Sequence, residues 1–327
     1  MNRNKDEILI TGATGLIASN LVKKLAKLKY KKILLLDNFS SSRKEVLKKI
    51  KNNYKFYKIN LTNKKKVEKV FKENNIKLII HLAAFADAAK SFNMKKTFIF
   101  NNVNSTQNLI FFANKYKVYN FIFSSTAAVY GNPKFKKKIN EKTKCSPINP
   151  YGYSKMVSEK DIVNNSQLNK KFNFLIFRFF NVVGKIMSNK YHKNKSKNLF
   201  DVILNKIKKK TTLKIYGNDF KTIDGTAIRD FIHVDDLCNA LIHSINFLDK
   251  KKRNMILNLG YGKGYTVLNI IKTFNQLLKN KIKFVFFDKR KGDPVKSIAD
   301  ITKINTQFKW NVKYSNINKL CKYFLNE

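Results

Sequence analysis

Glu7-Ile8-Leu9-Ile10-Thr11-Gly12-Ala13-Thr14-Gly15-Leu16-Ile17-Ala18 is the stretch that decides the fold. Its first five residues read as a short buried strand, and an amphipathic helical period runs from Leu16 to Leu28. Between them Gly12 and Gly15 allow a turn that side chains would forbid. The N–H groups and dipole at a helix amino terminus favour an anion, so this strand, turn and helix predict a pyrophosphate cradle. Ala18 stands where a third glycine would sit, and its methyl tightens helix–strand packing.

The same alternation continues outward. Lys32–Asp37, Tyr54–Ile59, Lys77–Ala83, Asn120–Ser125 and Phe172–Arg178 are short and rich in β-branched or aromatic residues. Helical periods fill Lys64–Lys72, Lys96–Tyr116 and Ser154–Leu168. Strands alternating with helices predict an α/β fold with a doubly wound parallel sheet of Rossmann type, which takes ligands at the carboxyl ends of its strands. Beyond Arg178 the pattern loosens: a polar loop at 185–197, a helix Leu199–Lys209, a strand Leu213–Tyr216 and a loop through Asp230. A strand–helix unit over Phe231–Leu248, a helix at 266–279, a strand at 282–287 and two short terminal helices complete the chain. We expect residues 1–179 to form a dinucleotide-binding domain and 180–327 a smaller α/β substrate domain, with about 230–262 returning to the main sheet.

The second strand ends in Asp37, 22 residues past Gly15, the spacing of a carboxylate that bonds the adenosine ribose hydroxyls. A carboxylate there repels a 2′-phosphate, which selects NAD over NADP; nearby Arg43 reads as a solvated helix residue.

Tyr151 and Lys155 are four residues apart and share a helix face. A phenol with a pKa near 10 is a poor base at neutral pH. An adjacent ammonium and a positive nicotinamide ring are expected to lower it, and Thr126, at the end of the fifth strand, can relay a proton. The pattern Tyr-x-x-x-Lys is common by chance in a chain this rich in lysine; the upstream glycine turn and Thr126 give it meaning.

Charge identifies no partner. The 327 residues carry 67 Lys+Arg against 21 Asp+Glu, a net +46, but only six of the 67 are Arg. Nucleic-acid readers favour the planar guanidinium, whereas Lys and Asn share A-rich codons, so composition bias explains the excess without a nucleic-acid partner. Ile8–Val22 has no basic residue and Thr222–Ser244 has only Arg229. A hydrophobic fraction of 43% excludes a disordered basic tail. Cys145, Cys238 and Cys321 are odd in number and far apart, as in a reduced, cytoplasmic protein. The amino terminus has no apolar signal segment, and Leu78–Ala89, which contains His81 and Asp87, is too short to span a bilayer. His81, His192, His233 and His243 lack metal-ligand spacing; no metal is expected, and His81 and His233 read as structural. Gly260–Gly264 (GYGKG) lacks the Lys-Ser/Thr ending of a triphosphate loop.

Gly217-Asn218-Asp219-Phe220, Asp224-Gly225-Thr226 and Arg229-Asp230-Phe231-Ile232-His233-Val234-Asp235-Asp236-Leu237 form the most specific further stretch. Asn258-Leu259-Gly260, Gly264-Tyr265-Thr266-Val267 and Lys289-Arg290-Lys291-Gly292-Asp293-Pro294 extend it. With the glycine turn and the Tyr151/Lys155 pair, the chain resembles, essentially end to end, the extended short-chain dehydrogenase/reductase family and its UDP-hexose 4-epimerase branch. The resemblance implies NAD-dependent, reversible inversion at C4 of a UDP-hexose through a 4-keto sugar. It gives Thr126, Tyr151 and Lys155 the catalytic roles. It places Gly12, Gly15, Leu16, Ile17, Asp37, Asn38, Asn60, Leu61, Phe85, Asn102, Ser124 and Phe179, with Tyr151 and Lys155, on the cofactor. Asn181, Asn198, Leu199, Tyr216, Arg229, Arg290, Asp293 and Ser297, with Thr126, fall to the UDP-sugar. Two arginines can hold a diphosphate by charge-assisted bonds while Asp293 accepts from a ribose hydroxyl. The family also implies a homodimer through helices like 96–116 and 154–168.

Three positions depart from the commonest pattern: Asn60 for an acid near adenine, Ala86 for a lysine and Phe179 for a tyrosine near nicotinamide. A sugar-nucleotide dehydratase carries an acid beside the relay threonine, where this chain has Ala127 and Ala128, which cannot donate a proton. UDP-glucuronate 4-epimerisation stays open as an alternative, as does a basic nucleic-acid-binding scaffold. In the resembling enzymes a bulky tyrosine at the place of Ser297 excludes an N-acetyl group, so both UDP-galactose and UDP-N-acetylgalactosamine are expected substrates.

Overall fold

The computed structural model describes residues 7–42, 44–47, 54–133, 138–185, 198–250, 253–308 and 312–326. Arg43, His192 and, apart from Lys185, the loop expected at 185–197 lie outside them.

Seven parallel strands form the main sheet: β1 (Glu7–Thr11), β2 (Ile33–Asp37), β3 (Tyr54–Lys58), β4 (Ile76–His81), β5 (Asn120–Thr126), β6 (Asn173–Phe179) and β11 (Met255–Leu259). Their spatial order is β3-β2-β1-β4-β5-β6-β11. The winding reverses between β1 and β4, so the loops leaving their carboxyl ends diverge and open a crevice there. β11 pairs with β6 from Met255↔Leu175 to Leu259↔Phe179, so the chain does return to this sheet after its excursion.

Period-two alternation divides each strand between two cores. Ile8, Ile10, Leu35, Leu78, Ile80, Ile122 and Phe177 point to one face. There they meet α1 (Leu16–Lys27) and α7 (Val234–Lys250). Leu9, Leu34, Leu36, Ile79, Phe121, Phe123 and Ile176 point to the other, with α2 (Lys64–Glu73) and α4 (Lys95–Lys115). Both faces are covered, which is why the strands read as nearly continuous apolar runs.

Most predicted boundaries fall within two residues of the observed ones. The fifth helix is the main exception: α5 spans Pro150–Leu168 and starts four residues before the expected Ser154. Asn149 accepts from Gly152 N at 2.8 Å as its cap, and Pro150 occupies the first turn, where a missing N–H costs nothing. Tyr151 therefore lies on the helix itself. α3 (Ala88–Asn93) was not anticipated either, being only six residues long.

The rest of the second half comprises β7 (Asn181–Val183), α6 (Leu199–Lys209), β8 (Leu213–Tyr216), β9 (Ile228–Arg229), β10 (Phe231–His233), β12 (Tyr265–Thr266), α8 (Val267–Leu277), β13 (Phe284–Phe287), β14 (Lys296–Ser297), α9 (Thr302–Gln307) and α10 (Ile317–Leu325). Its small sheets, β10-β7, β12-β9-β14 and β13-β8, gather the segments after β6 beyond the strand ends. Among the described residues no helix is long and apolar enough to cross a membrane.

Candidate active site

The glycine turn closes tightly on the sheet. Gly12 has φ +69°, and a Cβ there would stand 2.8 Å from Ala83 Cα, so glycine is required for both angle and space. Gly12 N donates to Leu36 O at 2.8 Å, and Gly15 precedes α1 as a cap with no side chain to bond the first helical N–H groups. Leu16 and Ile17 are the first helical residues, and Ala18 is buried in the core at the place of a third glycine. Asp37 accepts from Thr14 N at 3.0 Å and from Phe39 N at 2.7 Å, which fixes its carboxylate at the end of β2. A cavity of about 100 Å³ is lined by Gly12, Gly15, Asp37, Asn38, Asn60, Leu61 and Phe85, all read from the sequence as cofactor positions. The uncapped amides, the fixed carboxylate and the space a Cβ would fill are the donor set that a dinucleotide requires.

Asn102 ties the crevice to α5. Its side chain accepts from Phe85 N (2.8 Å) and donates to Phe85 O (3.1 Å) and to Ser154 Oγ (2.9 Å). Phe179 lies beside Thr126 in the β5–β6 register and is buried.

Thr126 ends β5 and caps the 3-10 turn Ala127–Tyr130, accepting from Ala128 N at 3.2 Å. A Cβ on Gly152 would lie 2.5 Å from Ala128 O, so the glycine beside Tyr151 lets α5 close onto this turn. The Thr126 side chain stands near enough to Tyr151 to act on its phenol, favouring the phenolate. Lys155, buried, donates from Nζ to Ser124 O at 2.7 Å, with Nζ 4.4 Å from the Phe123 ring centroid. Ser124 Oγ donates to His81 O at 3.0 Å.

Burial pushes the Tyr151 phenol up to about 12, with Thr126 opposing. Lys155 is turned to the Ser124 carbonyl, and burial brings it down to about 7 against the pull of Glu159. His81, the last residue of β4, is buried between Thr11 Oγ1 (2.7 Å) and Thr106 Oγ1 (3.2 Å). Burial, with Lys155 adding to it, holds its pKa well below the usual histidine range, as suits a structural imidazole.

A second constellation faces these strand ends. Arg229 Nη2 and Arg290 Nη2 reach opposite oxygens of Asp293 at 3.2 and 3.1 Å. The Arg290 guanidinium lies 4.9 Å from the ring centroid of Tyr216. Ser297 is paired with Arg229 in the β14–β9 register and is buried. Asn181 N donates to Asp230 O at 3.0 Å, placing Asn181 on the strand beside Arg229 and Phe231. Asn198 caps α6, accepting from Asp201 N at 2.9 Å, and Leu199 packs on the core; these two hold the helix start and do not share the arginine–aspartate bonds. Among the described residues no cluster of three or more His, Cys, Asp or Glu could hold a metal ion.

Sequence reading missed the buried polar network behind Tyr151 and Lys155. Arg178 is bidentate on Glu159, with Nη2 to Oε2 at 2.6 Å and Nε to Oε1 at 3.0 Å. Arg178 Nη1 also donates to the Tyr130 hydroxyl at 3.0 Å, which donates to Asn258 Oδ1 at 2.6 Å. The signal was present: an arginine inside the apolar strand FNFLIFRF must be paired, and Glu159 lies one helical turn past Lys155.

Residues 8–260 match the profile of the NAD dependent epimerase/dehydratase family. The chain is 32% identical to a UDP-glucose 4-epimerase of Dictyostelium discoideum, over 97% of this chain and 94% of that protein. The UDP-glucose 4-epimerase of Bifidobacterium longum, solved in complex with NAD+ and UDP, superposes with a TM-score of 0.90 at 30% identity, covering 98% of this chain and 97% of that one. The UDP-Glc/GlcNAc 4-epimerase of Campylobacter jejuni gives a TM-score of 0.84 at 32% identity, covering 98% of each chain.

Proposed function

The chain belongs to the NAD dependent epimerase/dehydratase family, and from that premise we propose which of its residues carry out the family's chemistry on a UDP-hexose. It is an NAD-dependent enzyme that reversibly inverts C4 of the hexose, interconverting UDP-glucose and UDP-galactose through a 4-keto sugar. NAD, when bound, supplies the acceptor that takes the C4 hydride and returns it.

Gly12, Gly15, Leu16 and Ile17 bind the pyrophosphate at the start of α1, and Asp37 binds the adenosine ribose. Asn38, Asn60 and Leu61 flank the adenosine end, and Phe85, Asn102, Ser124 and Phe179 the nicotinamide end. Tyr151 takes the O4 proton, directly or across Thr126. The single observation that carries the assignment is the seat of Lys155 Nζ on the Ser124 carbonyl at 2.7 Å, which holds the helix of Tyr151 against the strand end that carries Thr126. A phenol near 12 needs added positive charge to act as a base at neutral pH, and Lys155 and the nicotinamide ring are its sources.

Arg229 and Arg290 hold the diphosphate, and Asp293 and Tyr216 the uridine. Asn181, Asn198 and Leu199 complete that wall. Anchors concentrated on UDP leave the hexose free to present either face of C4, which epimerisation demands. Ala127 and Ala128 follow Thr126 directly, so no acid stands there to expel water. The buried, small Ser297 beside Arg229 leaves room for an N-acetyl group, so UDP-N-acetylgalactosamine is a second substrate.

Residues 1–179 together with 230–262 form the cofactor-binding body, and the remaining segments after 180 hold the UDP-sugar. The enzyme is a cytoplasmic homodimer joined through α4 and α5, whose surfaces expose Phe100, Phe111, Tyr153 and Leu168. Incubation with UDP-galactose and separately with UDP-N-acetylgalactosamine, with NAD present, tests the reading. Epimerised product from both is expected. Turnover of UDP-galactose alone would overturn the role of Ser297, and turnover of neither would overturn the function.

A further inference from the structure

Glu159 belongs to neither the cofactor nor the sugar site, yet it is 3% exposed and fully engaged. Its Oε1 accepts from Ser125 Oγ and from Arg178 Nε, and its Oε2 from Arg178 Nη2. Ser125 is flanked by the two residues on which the proposed chemistry turns. The carbonyl of Ser124 receives the Lys155 ammonium, and Thr126 acts on the Tyr151 phenol, favouring its phenolate. One carboxylate on α5 therefore fixes where the tip of β5 stands relative to the same helix's Tyr151 and Lys155.

We propose that Glu159 is a positioning residue for the epimerisation: anchored by Arg178, it holds the Ser124–Thr126 strand tip against α5 and supplies the counter-charge that Lys155 faces. The inference rests on the roles proposed for Tyr151, Lys155 and Thr126. Among the described residues around Lys155, Glu159 is the anion that acts on it. On α5 stand Tyr151, a neutral phenol, and Glu159; on β4 stands His81, held neutral by burial; on β5 lies the apolar ring of Phe123; on β6 stands Arg178, a cation turned onto Glu159. Burial draws the Lys155 ammonium down to about 7, and the Glu159 charge works against that. Removing the charge withdraws the attraction and leaves Arg178 as an unbalanced cation in the same interior, so both changes lower the Lys155 pKa.

A role confined to holding the fold would leave the titration of Lys155 where it is. The full-length protein is labelled with lysine carrying carbon-13 at Cε and titrated by NMR. A lysine side chain in water titrates near 10, so a resonance that titrates near neutrality and disappears in Lys155→Met reports this side chain alone. In Glu159→Gln its midpoint should fall by roughly one unit or more, and Glu159→Asp should restore most of the shift. A midpoint in folded Glu159→Gln within a few tenths of the wild-type value would overturn the counter-charge. Ser125→Ala keeps the charge and serves if Glu159→Gln does not fold. It should leave the lysine midpoint in place while lowering kcat on UDP-galactose several-fold at unchanged KM; an unchanged kcat overturns the positioning of the strand tip. The lysine titration is read without turnover, so loss of the proposed function and loss of this inference give different results.

Discussion

Lys155 Nζ donates to the carbonyl oxygen of Ser124 at 2.7 Å, joining the helix that carries Tyr151 to the strand that carries Thr126. The bond is made inside the protein, under the ring of Phe123, where an ammonium has lost its water. A buried cation here has a structural cost and, in the proposed mechanism, a chemical use, and the two can be measured separately.

The cost has a definite pH signature. The folded-state pKa of Lys155 is about 7, below its ordinary value of 10.5. Between these two values the unfolded chain binds more protons than the folded one, so this group's contribution to stability rises with pH. The penalty is complete below about pH 7 and is relieved as pH climbs toward 10.5. Lys155→Met should therefore gain stability relative to wild type most at pH 6–7, with the advantage shrinking by pH 10. Denaturant melts of both proteins across that range will show it; a constant difference would mean Lys155 is not held at a lowered pKa.

Asp37 is pre-set by bonds from Thr14 N and Phe39 N. Asp37→Ala should weaken NAD binding roughly 10- to 100-fold, the range expected for losing hydrogen bonds to a charged group. It should also narrow the preference for NAD over NADP, because the repelling carboxylate is gone. Calorimetric titration with each dinucleotide measures both effects.

Gly12→Ala places a methyl against Ala83 and forces a left-handed angle on a residue with a side chain. The conformational strain alone costs about 1–3 kcal/mol. Thermal unfolding without added cofactor should show the loss, and NAD should restore little of it because the pyrophosphate cradle is distorted.

Arg229 and Arg290 share Asp293, so removing one arginine leaves the aspartate paired. Arg229→Met should raise KM for UDP-galactose about tenfold or more and change kcat far less, since a diphosphate held by Arg229 as proposed would be held alike in ground and transition states. A fall in kcat at unchanged KM would instead place Arg229 in the chemical step.

The sequence was most legible where local chemistry and fold agree. The glycine turn, the carboxylate ending β2 and the Tyr-x-x-x-Lys spacing each require a particular backbone, and the backbone is there. No strand is read from the sequence at Met255–Leu259, because the place of β11 and its register against β6 could be set only by long-range pairing. The start of α5 was misplaced because hydrophobic period outweighed the Asn149-Pro150 capping signal. The surroundings of Tyr151 and Lys155 were not legible in the sequence. Spacing along a helix puts Lys155 near Tyr151, but only the packed structure turns its ammonium onto Ser124 and surrounds the phenol with protein. The Glu159–Arg178–Tyr130 network escaped for the same reason, since its members come from separate elements and meet only in three dimensions.

The most direct test of the central claim follows the C4 hydrogen of UDP-galactose deuterated at that carbon, with NAD present, using wild type and Tyr151→Phe in parallel. Wild type should yield UDP-glucose that keeps deuterium at C4. Tyr151→Phe should bind NAD as wild type does and yield essentially none. Protium at C4 of the product, or near-normal turnover by Tyr151→Phe, would contradict the account.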